Sequence, residues 1–182
     1  MGASDMMVEL VDWRSLDRET MTACMQLHTK VWPSPEPLAT VIERTWQDAQ
    51  QVDSPQVAQM CGHLIRDGQR IIALARSFHR IIAIDGVSMP ILALAGVCVD
   101  TSSRGRGYGE AVVRHVWSRL DDQVRCSLFQ TGIANFYERM GAVRIHNRIT
   151  SSGRSFWDPH ALIYPAKTVW PAGTIDLQGD GW

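Results

Sequence analysis

The spacing of apolar residues changes several times along the chain, and each spacing predicts a type of element. Apolar and polar residues alternate over 7–13, as in a half-buried strand. Apolar residues then recur at helical spacing over 17–32, and again from the proline-rich run to about residue 50. Proline ends helices, so the run Pro33-Ser34-Pro35-Glu36-Pro37 separates the two predicted helices.

Alternating and continuously apolar segments follow, which favours strands. The predicted strands are 60–66, 70–76 or slightly beyond, 80–85, and 91–100. Asp67-Gly68 and Asp85-Gly86 are typical hairpin turns. The 80–85 stretch either continues the strand before it or pairs with it. Because 91–100 is the most apolar segment, we expect it at the centre of the sheet.

The second half of the chain alternates strands with helices. A polar, glycine-rich link at 101–107 leads into an amphipathic helix predicted over 108–120. We then expect a strand at 125–129, a helix at 133–140, strands at 142–149 and 161–164, and an irregular tail over about 165–182. No repeat or linker divides the sequence. The pattern predicts a single domain over 1–182, an α/β fold whose central sheet is mixed, mostly antiparallel and flanked by helices.

Composition and charge limit the classes of partner that we expect. The 182 residues include 18 basic and 19 acidic ones, for a net charge of -1, so no overall basic surface attracts nucleic acid. No apolar stretch approaches the roughly 20 residues of a membrane span. We therefore expect a cytoplasmic protein with neither nucleic acid nor membrane as a partner. The widely spaced Cys24, Cys61, Cys98 and Cys126 favour buried thiols, and we predict no metal site.

The segment Arg104-Gly105-Arg106-Gly107-Tyr108-Gly109 carries the clearest chemistry. Glycines between a buried strand and a helix let backbone N–H groups turn toward an anion at the helix N-terminus. The two arginines add charge-assisted hydrogen bonds, so the segment predicts a pyrophosphate site. A dinucleotide fingerprint needs glycine where Glu110 stands, and a P-loop needs Gly-Lys-Ser/Thr. A plain strand-to-helix turn is the structural alternative.

This segment resembles the R/Q-x-x-G-x-G/A signature of the GNAT superfamily of acyl-CoA N-acyltransferases. A second segment, Phe136-Tyr137-Glu138-Arg139-Met140-Gly141-Ala142, is similar to the family's F-Y-x-x-x-G-F motif. The resemblance covers about 91–149 and implies the GNAT fold. It departs from the family pattern at Ala142, where an aromatic residue is usual, and at Gln130, where many members carry an asparagine that touches the cofactor.

The resemblance implies acetyl-CoA as cosubstrate and assigns residues to it. Its pantetheine arm would pair with the backbone of Val97, Cys98 and Val99, and its pyrophosphate would lie on Arg104, Gly105, Arg106, Gly107, Tyr108 and Gly109. A backbone N–H near Val97 or Cys98 would polarise the thioester carbonyl. Tyr137 would be the general acid that protonates the departing thiolate.

The general base is left open by the sequence. Many relatives carry a glutamate on the central strand, but residues 91–96 include no carboxylate. The candidates are His28, Glu43, Asp48, His63, Asp180, the chain terminus and a water relay.

The acceptor site is suggested by tryptophans and by the end of the chain. Trp32 and Trp46 flank the proline-rich run, where relatives build the acceptor site. Gly179-Asp180-Gly181-Trp182 resembles the end of aminoglycoside 2'-N-acetyltransferases, so Asp180 and Trp182 would hold a cationic amine. A loose terminus is the structural alternative.

These assignments predict an N-acetyltransferase that moves an acetyl group from acetyl-CoA to a primary amine of a small molecule or peptide by direct attack. The alternative is a non-catalytic module of the same fold that binds acyl-CoA as a sensor or scaffold. Homodimers are common among proteins of this fold, and the sequence leaves the oligomeric state open.

Overall fold

The computed structural model describes residues 7–50, 59–151, 154–157 and 160–179, the segment 154–157 by its backbone alone. The helices are α1 (Arg18–Val31), α2 (Leu38–Gln50), α3 (Tyr108–Trp117) and α4 (Ala134–Glu138), with 3-10 turns at Trp13–Ser15 and Thr101–Ser103. The strands are β1 (Glu9–Asp12), β2 (Cys61–Asp67), β3 (Arg70–Ile84), β4 (Val87–Val99), β5 (Ser127–Gln130), β6 (Val143–Arg144), β7 (Arg148–Ser151), β8 (Arg154–Trp157), β9 (Ala161–Tyr164) and β10 (Thr174–Asp176).

The chain forms two compact units, and β3 and β4 each contribute residues to both. The first unit is Met1–Phe78 with Gly96–Ser118, and the second is His79–Ala95 with Arg119–Trp182. In the first unit, β2 pairs antiparallel with both β1 and β3. Helices α1 and α2 cover an apolar cluster that includes Trp13, Met21, Leu64 and Leu74.

Strands of the second unit follow the order β6-β9-β5-β4-β3-β10-β7-β8. Pairing is parallel between β4 and β5 and between β10 and β7, and antiparallel at the β5–β9, β6–β9, β10–β3 and β7–β8 contacts. The predicted fold class, an α/β fold with a mixed, mostly antiparallel sheet flanked by helices, is therefore confirmed.

The strand β3 runs without interruption from Arg70 to Ile84, so the 80–85 stretch continues the strand before it and does not form a separate one. The apolar pattern that predicts strands is interrupted at Ser77 and Arg80, which are polar residues and are nevertheless buried. Arg80 lies there because its Nε donates to the carbonyl of Leu177 at 2.8 Å. β4 begins at Val87, before the predicted start at 91.

The single strand predicted over 142–149 is wrong, because the chain forms β6 and β7 with a bend between them. At the bend, Asn147 is buried and its side-chain amide donates to the carbonyls of Pro171 and Gly173. The irregular tail predicted from 165 is also wrong at β10, which inserts between β3 and β7. Helix α3 ends at Trp117, short of the predicted residue 120.

Candidate active site

The glycine-rich loop has an open, left-handed backbone directly before α3. Gly105 and Gly107 have φ angles of 76° and 83°, a region that glycine enters without steric penalty. Gly107 is the N-cap of α3, and no side chain caps this helix end, so its first N–H groups are available to an anion. A Cβ at Gly105 would meet no atom within 4 Å. The loop therefore has the room and the donors that a diphosphate needs.

Two exposed arginines, Arg104 and Arg106, lie in this loop. Nε of Arg104 donates to the carbonyl of Val99 at 3.4 Å, which leads its side chain back along the end of β4. Both guanidinium groups keep exposed surface, so they can add positive charge to that of the helix dipole.

A buried carboxylate fixes the start of the loop. Asp100 caps the 3-10 turn Thr101–Ser103 by accepting from Ser102 N at 3.0 Å and from Ser102 Oγ at 2.6 Å. Lys30 at the end of α1 donates to the same carboxylate at 2.7 Å. The Lys30 ammonium and the Ser102 donors hold the pKa of Asp100 well below its usual range. No motif in the sequence singled out this residue as functional, although Asp-x-Ser after a strand is a recognisable capping pattern.

The end of β4 combines a left-handed glycine within the strand with a buried thiol. Gly96 has a φ angle of 58°, and Val97, Cys98 and Val99 follow it. Cys98 is buried, and burial raises its pKa to about 12. A thiol that stays protonated is a poor nucleophile, so the environment of Cys98 does not favour covalent catalysis by this residue.

Tyr137 lies on α4 in the second unit and is buried. Its ring contacts those of Phe129 and Phe136, with centroids 4.8 Å and 4.9 Å away. Burial raises the pKa of Tyr137 to about 12, and a hydrogen bond with the Thr131 side chain opposes part of that rise. The phenol therefore keeps its proton at neutral pH, as a general acid must.

The candidate bases differ in their exposure and in the contacts that their side chains make. Glu43 binds Arg18, and Asp48 lies exposed on α2. His63 is buried, with ring nitrogens 2.8 Å from Ser77 Oγ and 2.8 Å from Nδ1 of His115. Asp180 and the chain terminus lie outside the described residues.

His28 is the candidate base whose environment favours the neutral imidazole that a general base needs before it accepts a proton. It is half-buried on α1, and its pKa is lowered first by burial and then by the charge of Arg76. A lowered pKa leaves a neutral imidazole at neutral pH, and only the neutral ring accepts a proton.

The predicted acceptor residues are only partly described. Trp32 is 44% exposed, and its ring lies 4.9 Å from that of His28. Trp46 packs against the apolar cluster of the first unit, with Arg18 5.8 Å from its ring centre. Asp180 and Trp182 lie outside the described residues, so their role stays a prediction.

The described residues contain neither a metal-binding cluster nor a helix that could span a membrane. No group of three or more His, Cys, Asp or Glu side chains in that part of the chain is arranged to hold a metal ion. Among the same residues, no helix is both long enough and apolar enough to cross a membrane.

Comparison with solved structures shows the fold. The GNAT family N-acetyltransferase (YhbS) from Escherichia coli in complex with CoA matches with a TM-score of 0.63 and 12% identity, over 97% of this chain and 93% of that one. NAA60 from Arabidopsis thaliana in complex with a bisubstrate analogue matches with a TM-score of 0.59 and 12% identity, over 87% and 97%.

Other relatives are much longer than this chain. A GCN5-related N-acetyltransferase from Kribbella flavida matches with a TM-score of 0.60 and 22% identity, over 81% of this chain but 36% of that one. The chain thus spans about a third of the length of this relative. No curated protein matches the chain significantly.

The family assignment rests on a sequence model described as the acetyltransferase (GNAT) domain. That model matches residues 12–144, which is well over half of the chain and includes both the glycine-rich loop and the segment around Tyr137. The chain belongs to the GNAT acetyltransferase family.

Proposed function

We propose that this protein is an N-acetyltransferase that transfers the acetyl group of acetyl-CoA to a primary amine of a small molecule or peptide. The observation that carries the proposal is the open loop before α3, with its two left-handed glycines, uncapped helix end and two exposed arginines. Membership of the GNAT family supports acyl transfer in general. The acetyl donor and the amine acceptor are the specific part of the proposal.

The chain's own residues would bind and orient the donor. Backbone N–H groups and the arginines of Arg104 to Gly109 would hold its pyrophosphate, and the backbone of Val97 to Val99 would pair with its pantetheine arm. A backbone N–H near Val97 or Cys98, directly after the left-handed residue Gly96, would polarise the carbonyl. When bound, acetyl-CoA supplies an acyl carbon activated as a thioester.

The reaction needs two proton transfers. The acceptor nitrogen forms a bond to the acyl carbon while the bond from that carbon to sulfur breaks. Tyr137 Oη would donate its proton to the departing sulfur, a role supported by the pKa of about 12 that keeps the phenol protonated. An imidazole nitrogen of His28 would accept the proton that the amine loses, either directly or through a water molecule.

The binding step is tested by a side chain placed in the loop. We expect Gly105→Trp to weaken acetyl-CoA binding at least about tenfold in calorimetric titration, because the indole occupies the space of the pyrophosphate. Gly68→Trp is a matched control, since Gly68 also has a positive φ angle, 61°, and no atom within 4 Å of a Cβ. Unaltered acetyl-CoA binding by the Gly105 variant, or none by the wild type, would overturn the proposal.

A non-catalytic acyl-CoA-binding module is the second candidate. The absence of a carboxylate in residues 91–96 favours it, because many relatives place their base there. The two functions differ in thiol release: an enzyme frees CoA from acetyl-CoA when mixed with a suitable amine, whereas a module only binds it. Tight binding without thiol release across a broad amine library would favour the module.

A further inference from the structure

Within the described residues of the first unit, one guanidinium has no counter-ion. Arg76 is on β3 and partly buried, and its Nε is buried with no hydrogen-bond partner. Among the residues that the structure describes, no carboxylate lies within ion-pair distance of it. Burial of a charge without an opposite charge nearby is strongly unfavourable, so the presence of Arg76 at this position needs an explanation.

The surrounding structure makes room for this guanidinium. The ring of Trp13 lies 5.6 Å from its central carbon, a cation-π distance. A Cβ on Gly96 would lie 2.8 Å from Nε of Arg76 and 3.1 Å from one of its terminal nitrogens. Any other residue at 96 would therefore require the arginine side chain to move, and the φ angle of 58° adds to the preference for glycine.

The neighbours of Arg76 do not neutralise it. Burial raises the pKa values of Cys24 and Cys98 to about 12, so both thiols stay uncharged. His28 is close enough for the charge of Arg76 to lower its pKa, which keeps that ring neutral as well. These three described neighbours of the guanidinium are thus uncharged, and Gly96 beside it leads directly into Val97 to Val99.

Given the proposed function, we propose that Arg76 binds a carboxylate group of the substrate beside the acyl site on β4. A guanidinium offers two parallel N–H donors that match the two oxygens of a carboxylate. The carboxylate can belong to the acceptor, as in a free amino acid, or to the acyl chain, as in the monothioester of a dicarboxylic acid. Either source would supply the negative charge that the described part of the chain does not place beside Arg76.

Wild-type protein tests the proposal with matched ligand pairs. One arm compares the twenty standard amino acids with their α-amides, by calorimetric titration with and without CoA. The other arm compares succinyl-CoA with butyryl-CoA, which have equal chain length. We expect the carboxylate to bind at least about tenfold more tightly in one arm, which identifies its source. Equal affinities in both arms would overturn the proposal.

Variants then assign the preference to Arg76. We expect Arg76→Gln to weaken binding of the carboxylate ligand about tenfold to a hundredfold, while the amide or butyryl ligand and acetyl-CoA bind as before. Arg66→Gln, which removes an exposed β2 arginine paired with Glu9, should leave the preference intact. Retention of the carboxylate preference by Arg76→Gln would overturn the assignment.

Stability separates this role from a structural one. Removal of an uncompensated buried charge leaves the unfolding midpoint of Arg76→Met equal to or above that of the wild type. A midpoint several degrees lower, together with no loss of carboxylate affinity, would show that the arginine serves the fold instead. Acetyl-CoA binding by wild type is measured separately, so failure of the proposed function is recognised independently.

Discussion

Burial keeps the side chains of Tyr137 and His28 uncharged at neutral pH, although it shifts their pKa values in opposite directions. The phenol becomes a weaker acid that retains its proton, and the imidazole becomes a weaker base that stays free of one. A general acid and a general base need these two protonation states at the same pH. Their environments thus support the two roles that we propose.

Replacement of Tyr137 by phenylalanine tests the acid. We expect Tyr137→Phe to lower kcat about a hundredfold or more while the Kd for acetyl-CoA changes by less than about twofold. The ring contacts with Phe129 and Phe136 remain, so the variant should fold. Tyr164→Phe, on β9, serves as the control for loss of a phenol. A kcat within about threefold of wild type would show that another group protonates the sulfur.

The pH profile tests the base. Because the pKa of His28 lies below its usual 6.5, kcat/KM should fall only as the pH drops below about 6.5, where the ring gains a proton. His28→Gln should lower kcat/KM and abolish this limb, and His146→Gln, at an exposed position, should preserve it. The limb should move to higher pH in Arg76→Gln, since the positive charge that lowers the pKa is gone. An unaltered limb in His28→Gln would assign the base elsewhere.

Among the elements, those with strong local signals were predicted well and those that depend on distant contacts were not. The glycine-rich loop and α3 follow from adjacent residues, so motif and structure agree. By contrast, β10 is defined by pairing with β3 and β7, which no local pattern encodes. The bend between β6 and β7 depends on Asn147, whose partners lie 24 and 26 residues away.

The same distinction applies to the candidate site. Motifs predict the residues of the loop and Tyr137 as site residues, and their roles stay predictions. Asp100 was missed because its ionic partners, Lys30 and Arg70, are 70 and 30 residues away in the chain. Arg76 was missed because its relation to Gly96 exists only once β3 and β4 are folded. Short sequence motifs can therefore indicate backbone segments that bind a ligand. Whether a charged side chain has a partner that is distant in the sequence can be seen only in the tertiary structure.

The attachment of the loop to α1 can be tested at Asp100. We expect Asp100→Asn to lower the unfolding midpoint and to weaken acetyl-CoA binding several-fold, because the charge pair with Lys30 that fixes the loop is lost. Asparagine is also a good capping residue, so loss of the cap itself contributes little. Asp12→Asn is the matched control, since Asp12 caps the other 3-10 turn through Arg14 N. An acetyl-CoA affinity equal to that of wild type would show that the loop needs no such anchor.

The pH dependence of this anchor has a defined sign. The pKa of Asp100 is held below the usual 3.8, so its contribution to stability is present above that pH and disappears as the pH falls. The difference in unfolding midpoint between wild type and Asp100→Asn should therefore be larger at pH 6 than near pH 3. A difference that does not change with pH would contradict the ionic role of this carboxylate.

For the whole molecule, the course of β3 and β4 bears on whether the chain unfolds in one step. Both strands contribute residues to the two compact units, so unfolding of either unit would break strands of the other. The family model likewise spans residues from both units. We therefore expect residues 1–182 to behave as a single domain.

Calorimetry tests this expectation together with ligand binding. We expect one transition whose calorimetric and van't Hoff enthalpies agree. Acetyl-CoA at a hundred times its Kd should stabilise the native state by about 2.7 kcal/mol, which corresponds to a rise of about 5–10 °C for a chain of this length. Most of the ligand contacts that we propose, those of Val97 to Val99 and Arg104 to Gly109, belong to the first unit, and Tyr137 belongs to the second. In a single cooperative domain the entire transition should move when acetyl-CoA binds. Two transitions, of which acetyl-CoA moves only one, would show that the units unfold independently.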